Sequence, residues 1–69
     1  MNKRMGTIKK IVSEKGFGFI QTGGQKDVFF HHSEVKDIDF KTLSEGDEVE
    51  FEVETTDKGL KAVQVRLCL

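Results

Sequence analysis

The residues best equipped for chemistry lie in two short runs, Lys15-Gly16-Phe17-Gly18-Phe19-Ile20 and Asp27-Val28-Phe29-Phe30-His31. The chemistry they suit is stacking rather than bond making. Side chains alternate faces along a strand, so Phe17 and Phe19 share one face and Gly16 and Gly18 take the other. A hairpin centred near Gly24 sets Phe19 opposite Phe29 and Phe17 opposite His31. Ile20, Val28 and Phe30 then point the other way, into a core. A slip by two residues leaves these faces unchanged, whereas a slip by one buries the rings and exposes Val28 and Phe30. Lys9, Lys10 and Lys15 flank the cluster, and His32 and Phe40 reach its rim from loops. Rings interleaved with cations are what an unpaired nucleic-acid strand needs. Each base stacked on a ring contributes about 1–3 kcal/mol with little regard to sequence. Lysines meet phosphates through contacts that weaken with salt. A flat aromatic surface does not enter duplex grooves, so the expected ligand is single-stranded.

The competing reading makes Phe17, Phe19 and Phe29 core residues. Two strands would then be apolar on both faces, with a histidine and lysines inside. Burial of both faces needs covering layers that 69 residues do not supply. Catalysis finds little support. His31 and His32 are adjacent and, in a strand, point apart, so they are poorly placed to share a metal or a substrate. The glutamates at 48, 50, 52 and 54 read as a solvated face. Neither serine nor cysteine has an evident base partner, and Gly16-Phe17-Gly18 opens no helix, as a dinucleotide fingerprint must. No enzymatic activity, catalytic residue, metal ligand or cofactor is expected.

The 69 residues suffice for one small domain, taken as 1–69. The single cysteine, Cys68, forms no internal disulfide, which fits a reducing compartment, and it reads as a small residue at a strand end. No signal segment and no apolar run of membrane-spanning length is present, so the expectation is a soluble, cytoplasmic protein. The net charge of −1 hides a division: +5 over residues 1–26, −9 over 27–57 and +3 over 58–69. Local potential governs the encounter with a polyanion, so a basic region can attract phosphates despite the total.

The elements that must position these residues are strands. Proline and tryptophan are absent, and no stretch shows helical periodicity over any length. Residues 5–12 read as a first strand with Ile8 inward; Lys9-Lys10 before Ile11-Val12 breaks strict alternation and predicts a bulge. A turn over 13–16 leads to a strand over 17–21. A hairpin loop over 22–26 uses glycine at positive φ, and a third strand covers 27–31. A turn over 32–36 holds about one helical turn from Ser33. A loop over 37–46 contains Phe40 and Leu43. Residues 48–55 alternate Val49, Phe51 and Val53 with glutamates. After a turn at 57–59, the last strand runs over 60–67 with Val63, Val65 and Leu67 inward. The fold class is all-β. Five antiparallel strands in so short a chain cover their edges best by curling into a barrel.

The two aromatic runs resemble the ribonucleoprotein motifs of bacterial cold-shock domain proteins, and Phe40-Lys41-Thr42-Leu43-Ser44-Glu45-Gly46 is similar to that family's loop into its fourth strand. The resemblance covers nearly the whole chain, in order and with similar spacing. An RRM signature begins alike, but its fold needs two amphipathic helices, and the motif order here is the reverse. The resemblance implies a five-stranded OB-fold barrel that binds single-stranded DNA and RNA as an RNA chaperone or antiterminator, in stress response and regulation of transcription or translation. The expected state is a monomer, with no membrane or small-molecule partner. By position the resemblance assigns binding to Lys9, Lys15, Phe17, Phe19, Phe29, His31 and Phe40, with Lys58 near a basic position. Lys10 stands where the family has a stacking tryptophan, and His32 where it usually has phenylalanine. Both join the expected interface, Lys10 through phosphate and His32 through a smaller ring. The missing indole predicts weaker, more salt-sensitive binding. It also favours an alternative, an OB-fold protein–protein module whose nucleic-acid surface has drifted.

Overall fold

The computed structural model describes residues 3–23 and 26–68. Five strands form in chain order: β1 Lys3–Val12, β2 Phe17–Gln21, β3 Val28–His31, β4 Glu48–Thr56 and β5 Gly59–Leu67. Two 3-10 turns, His32–Glu34 and Phe40–Thr42, lie in the β3–β4 connection. The strands close into a barrel in the order β1-β2-β3-β5-β4, with no α-helix among the described residues. The all-β barrel expected from the sequence is therefore what forms. The predicted hairpin centre at Gly24 lies outside the described residues, but Gly23 beside it has φ +56°.

The hairpin register is the expected one: Phe17 opposite His31, Gly18 opposite Phe30, Phe19 opposite Phe29 and Ile20 opposite Val28. The inward set is buried with Ile8, Leu43, Val49, Phe51, Ala62 and Val65. Phe30 and Phe51 are the two largest side chains without solvent exposure. Gly18 explains how Phe30 fits. A Cβ at Gly18 would stand 2.6 Å from the Lys10 carbonyl oxygen and 2.7 Å from the Phe30 ring. The bare backbone of β2 lets that ring lie beneath it.

The break in β1 is a bulge. Ile8 pairs with Ile20 and Lys10 with Phe19, so Lys9 is the extra residue. Ile8 donates its N–H to the Asp47 carbonyl and accepts from the Gly46 N–H, which ties the bulge to the loop before β4. Past the bulge the phase resets. Ile11 turns toward the core opposite Gly18, while Lys10 and Val12 turn outward opposite Phe19 and Phe17. β1 also begins earlier than expected, because Lys3 pairs with Glu52 of β4.

Two expectations need correction. The β3–β5 pairing, at Phe29 and Lys61, is parallel. A closed ring with an odd number of strands cannot alternate direction at every contact, so one seam must be parallel. Second, Val63 does not point inward. Gln64 takes a left-handed conformation, φ +54°, and the β4–β5 register shifts between Glu50 and Glu52. The extra residue lets Ala62 and Val65 both face the core, and Val63 falls on the outer side opposite Glu52.

Candidate nucleic-acid interface

The outward face of the β2–β3 hairpin carries three phenyl rings in mutual contact. Ring centres lie 5.8 Å apart for Phe17–Phe19, 5.5 Å for Phe17–Phe29 and 6.1 Å for Phe19–Phe29. The edge-to-face and tilted angles are those that aromatic pairs prefer. All three rings are half-buried, shielded by one another yet open to solvent. The β1 bulge delivers Lys10 beside Phe19 and Val12 beside Phe17 on this same face. His31 continues the surface opposite Phe17.

His31 is locally fixed. It ends the strand with extended backbone and caps the following turn, its Nδ1 accepting from the Ser33 N–H at 3.3 Å and lying 2.9 Å from Ser33 Oγ.

The two histidines do not point apart, as adjacency in a strand predicted. Their ring centres are 4.2 Å apart with planes inclined by 38°. The cause is backbone: His32 is already the first residue of a 3-10 turn, so strand alternation ends at His31. Gly16 makes room for the arrangement. Its φ of +73° suits glycine, its carbonyl accepts the His32 N–H at 2.8 Å, and a Cβ there would stand 2.5 Å from the His32 ring.

Phe17, Phe19, Phe29, His31 and Lys10 thus share one outer face, with a cleft beside it at Lys15 and His32 and another at Phe29 and His31. One cleft is lined by Lys15, Gly16, His32, Asp39, Phe40 and Lys41, among others. Phe40 does not join the central rings. It sits 6.2 Å from His32 and 6.0 Å from the buried Phe30, and so links the rim to the core. The opposite cleft is lined by Phe29, His31, Ser33, Thr56, Lys58, Leu60 and Lys61. Lys9 differs from Lys10, Lys15 and Lys58, because its Nζ is held 3.0 Å from Asp27 Oδ2. Lys61 was not expected here. The parallel seam places it beside Phe29, and nothing in its own neighbourhood in the sequence signals that.

The chain matches the family model of the 'Cold-shock' DNA-binding domain over residues 4–68. It is 55% identical over 62 residues to a cold shock-like protein CspA of Stigmatella aurantiaca, covering 88% of this chain and 91% of the relative. It is 52% identical over 65 residues to the cold shock-like protein CspI of Escherichia coli K12, covering 93% of each. Among solved structures, drosophila Unr CSD456 superposes with a TM-score of 0.78 at 30% identity, across 99% of this chain and 27% of that one.

Proposed function

The chain belongs to the cold-shock DNA-binding domain family, a nucleic-acid-binding and non-enzymatic one, and from that premise we propose that it binds single-stranded DNA and RNA across the outward face of the β2–β3 hairpin. Bases stack on Phe17, Phe19, Phe29 and His31. His32 and Phe40 extend the stacking surface into the first cleft, and Lys9, Lys10, Lys15 and Lys58 meet phosphates. The observation that carries this reading is the contact of three phenyl rings in solvent, on the very strands whose other face buries Ile20, Val28 and Phe30. Rings held at fixed angles by one another present π-faces at little further entropic cost.

In the cytoplasm, such a surface keeps transcripts unpaired, as an RNA chaperone acting on transcription or translation does. Lys10 offers a charge where the family's pattern offers an indole ring. Affinity is therefore lower than a full set of rings gives, and a larger share of it depends on salt.

Fluorescence-anisotropy titration with a labelled oligo(dT) tests the proposal. Phe17→Ala and Phe29→Ala each weaken binding by about fivefold to a hundredfold or more, the equivalent of about 1–3 kcal/mol per stacked base. A duplex of the same length binds far less. Undiminished single-strand binding by both variants, with the fold intact by circular dichroism, would end the nucleic-acid reading. It would favour a protein–protein module instead, the reading to which the missing ring at Lys10 points.

A further inference from the structure

His32 is a ring that can change its charge, at a place where the family's pattern has a phenylalanine that cannot. Imidazole is the side chain that ordinarily gains its charge between about pH 5 and 8. His32 is exposed, and among the described residues its ring makes no hydrogen bond. The rings nearest to it are His31, 4.2 Å away centre to centre, and Phe40, at 6.2 Å. The charged groups that share its cleft are Glu14 and Lys15, from the turn before β2, and Asp39 and Lys41, around the second 3-10 turn. Among the described residues none of these four forms an ion pair. Two acids offset two bases, so the sign of the cleft is decided at His32. With a neutral ring the cleft has no net charge, and with a protonated ring it is positive.

His31 is differently placed. Its Nδ1 accepts from the Ser33 N–H, whereas an imidazolium has hydrogen on both nitrogens. The charges that line its own cleft are Lys58 and Lys61, both of like sign to an imidazolium. Two imidazolium rings at 4.2 Å would also repel each other. The arrangement therefore favours a response of one proton, centred on His32.

We propose that His32 makes single-strand binding pH-sensitive: on acidification through the imidazole range it takes up a proton, turns the cleft beside Lys15 and Lys41 positive, and adds a phosphate contact. The inference rests on the function proposed above and adds to it a control by pH. The sign follows from linkage. A phosphate beside His32 favours the charged ring, so the complex holds the proton more tightly than the unbound protein does, and affinity rises as pH falls. This contribution is complete below the imidazole range and is lost as pH rises through it.

The test is oligo(dT) titration at about pH 8 and about pH 6, each at low and high salt, with the unaltered protein and His32→Phe. At low salt the unaltered protein binds about twofold to fivefold more tightly at the lower pH, the yield of one exposed ion pair. Its slope of log K against log salt steepens there by up to about 0.7. His32→Phe keeps a ring in place but loses both responses. A second measurement needs no variant: in the unaltered protein, the proton resonances of the His32 ring titrate with a midpoint that moves to higher pH when excess oligo(dT) is bound. An equal pH response in His32→Phe, an affinity that falls on acidification, or an unmoved midpoint overturns this inference alone, because Phe17→Ala still reports on the rings. Absence of binding by the unaltered protein at both pH values overturns the function it rests on as well.

Discussion

Two outer faces of this barrel obey one alternation and reach opposite results. On β2 and β3, the residues between buried Ile20, Val28 and Phe30 are rings. On β4, the residues between fully buried Val49 and Phe51 are glutamates. The inner halves are interchangeable in kind, and only the outer halves distinguish the two regions. Topology then keeps them apart. In the order β1-β2-β3-β5-β4, β4 touches β1 and β5, so β2 and β3 are the strands it does not pair with. The barrel measures 26 × 25 × 21 Å, and charges are screened over about 8 Å at physiological salt. Carboxylates on β4 are therefore largely invisible to a phosphate lying on the rings. A net charge of −1 is no obstacle to binding a polyanion when four of the twelve acids stand on a strand that does not pair with β2 or β3. The glutamates also keep β4 wet.

The contrast breaks most sharply at two adjacent residues of β3. Phe30→Ala empties a core position and costs about 3–5 kcal/mol. At roughly 0.05–0.15 kcal/mol per residue, a chain of this size has only about 3–10 kcal/mol to lose, so thermal melts should show this variant unfolded or nearly so. Phe29→Glu gives β3 the outer chemistry of β4. It leaves the buried residues in place but removes two ring contacts of about 0.5–1.5 kcal/mol each, so the melting temperature falls by less than for Phe30→Ala. Single-strand affinity falls by tenfold or more, because a stacking ring is lost and a like charge faces the phosphates. Equal effects of the two substitutions on melting would mean that the outer rings belong to the core after all.

A gain of function sharpens the same contrast. Lys10 pairs with Phe19 on the outer face, beside the ring cluster and in position to add to it. Lys10→Trp should raise affinity for oligo(dT) by about tenfold, a stacking contact of about 1–3 kcal/mol less the lost phosphate contact. It should also lower the salt slope by about 0.7. A tighter complex with an unchanged slope would place the Lys10 ammonium away from the phosphates.

Much of this was legible in the chain. The faces of β2 and β3 followed from a period of two, since a slip by two residues leaves them unchanged and a slip by one would bury the rings, and the register assumed from a turn near Gly24 is the one that forms. The β1 bulge showed in the broken alternation at Lys9-Lys10. What escaped was non-local or conformational. Nothing near Gln64 announces a left-handed residue, so strict alternation put Val63 inside. The stacking of His31 on His32 depends on where the strand stops, a boundary set by the cap that His31 makes with Ser33. The Lys61–Phe29 neighbourhood needs the closing seam. The parity of five strands does demand one parallel pair, but it does not say which residues meet there. Leu43, buried from a loop, had no periodicity to betray it.

The smallest expected effect concerns the ion pair that separates Lys9 from Lys10, Lys15 and Lys58. Asp27 holds Lys9 Nζ at 3.0 Å, with the lysine side chain 56% and the aspartate 32% exposed. A pair this open contributes about 0–1 kcal/mol to stability, so Asp27→Asn should leave the melting temperature nearly unchanged. Its effect on binding is more informative. The lysine no longer shares its charge, and the carboxylate no longer repels the ligand. If Lys9 lies in reach of the strand, the salt slope steepens by up to about 0.7 and affinity at low salt rises severalfold. Glu52→Gln removes the same charge from β4 and should change neither quantity. Equal responses to the two neutralisations would show that the ligand senses net charge rather than its arrangement, and the separation of the two faces would then have no bearing on binding.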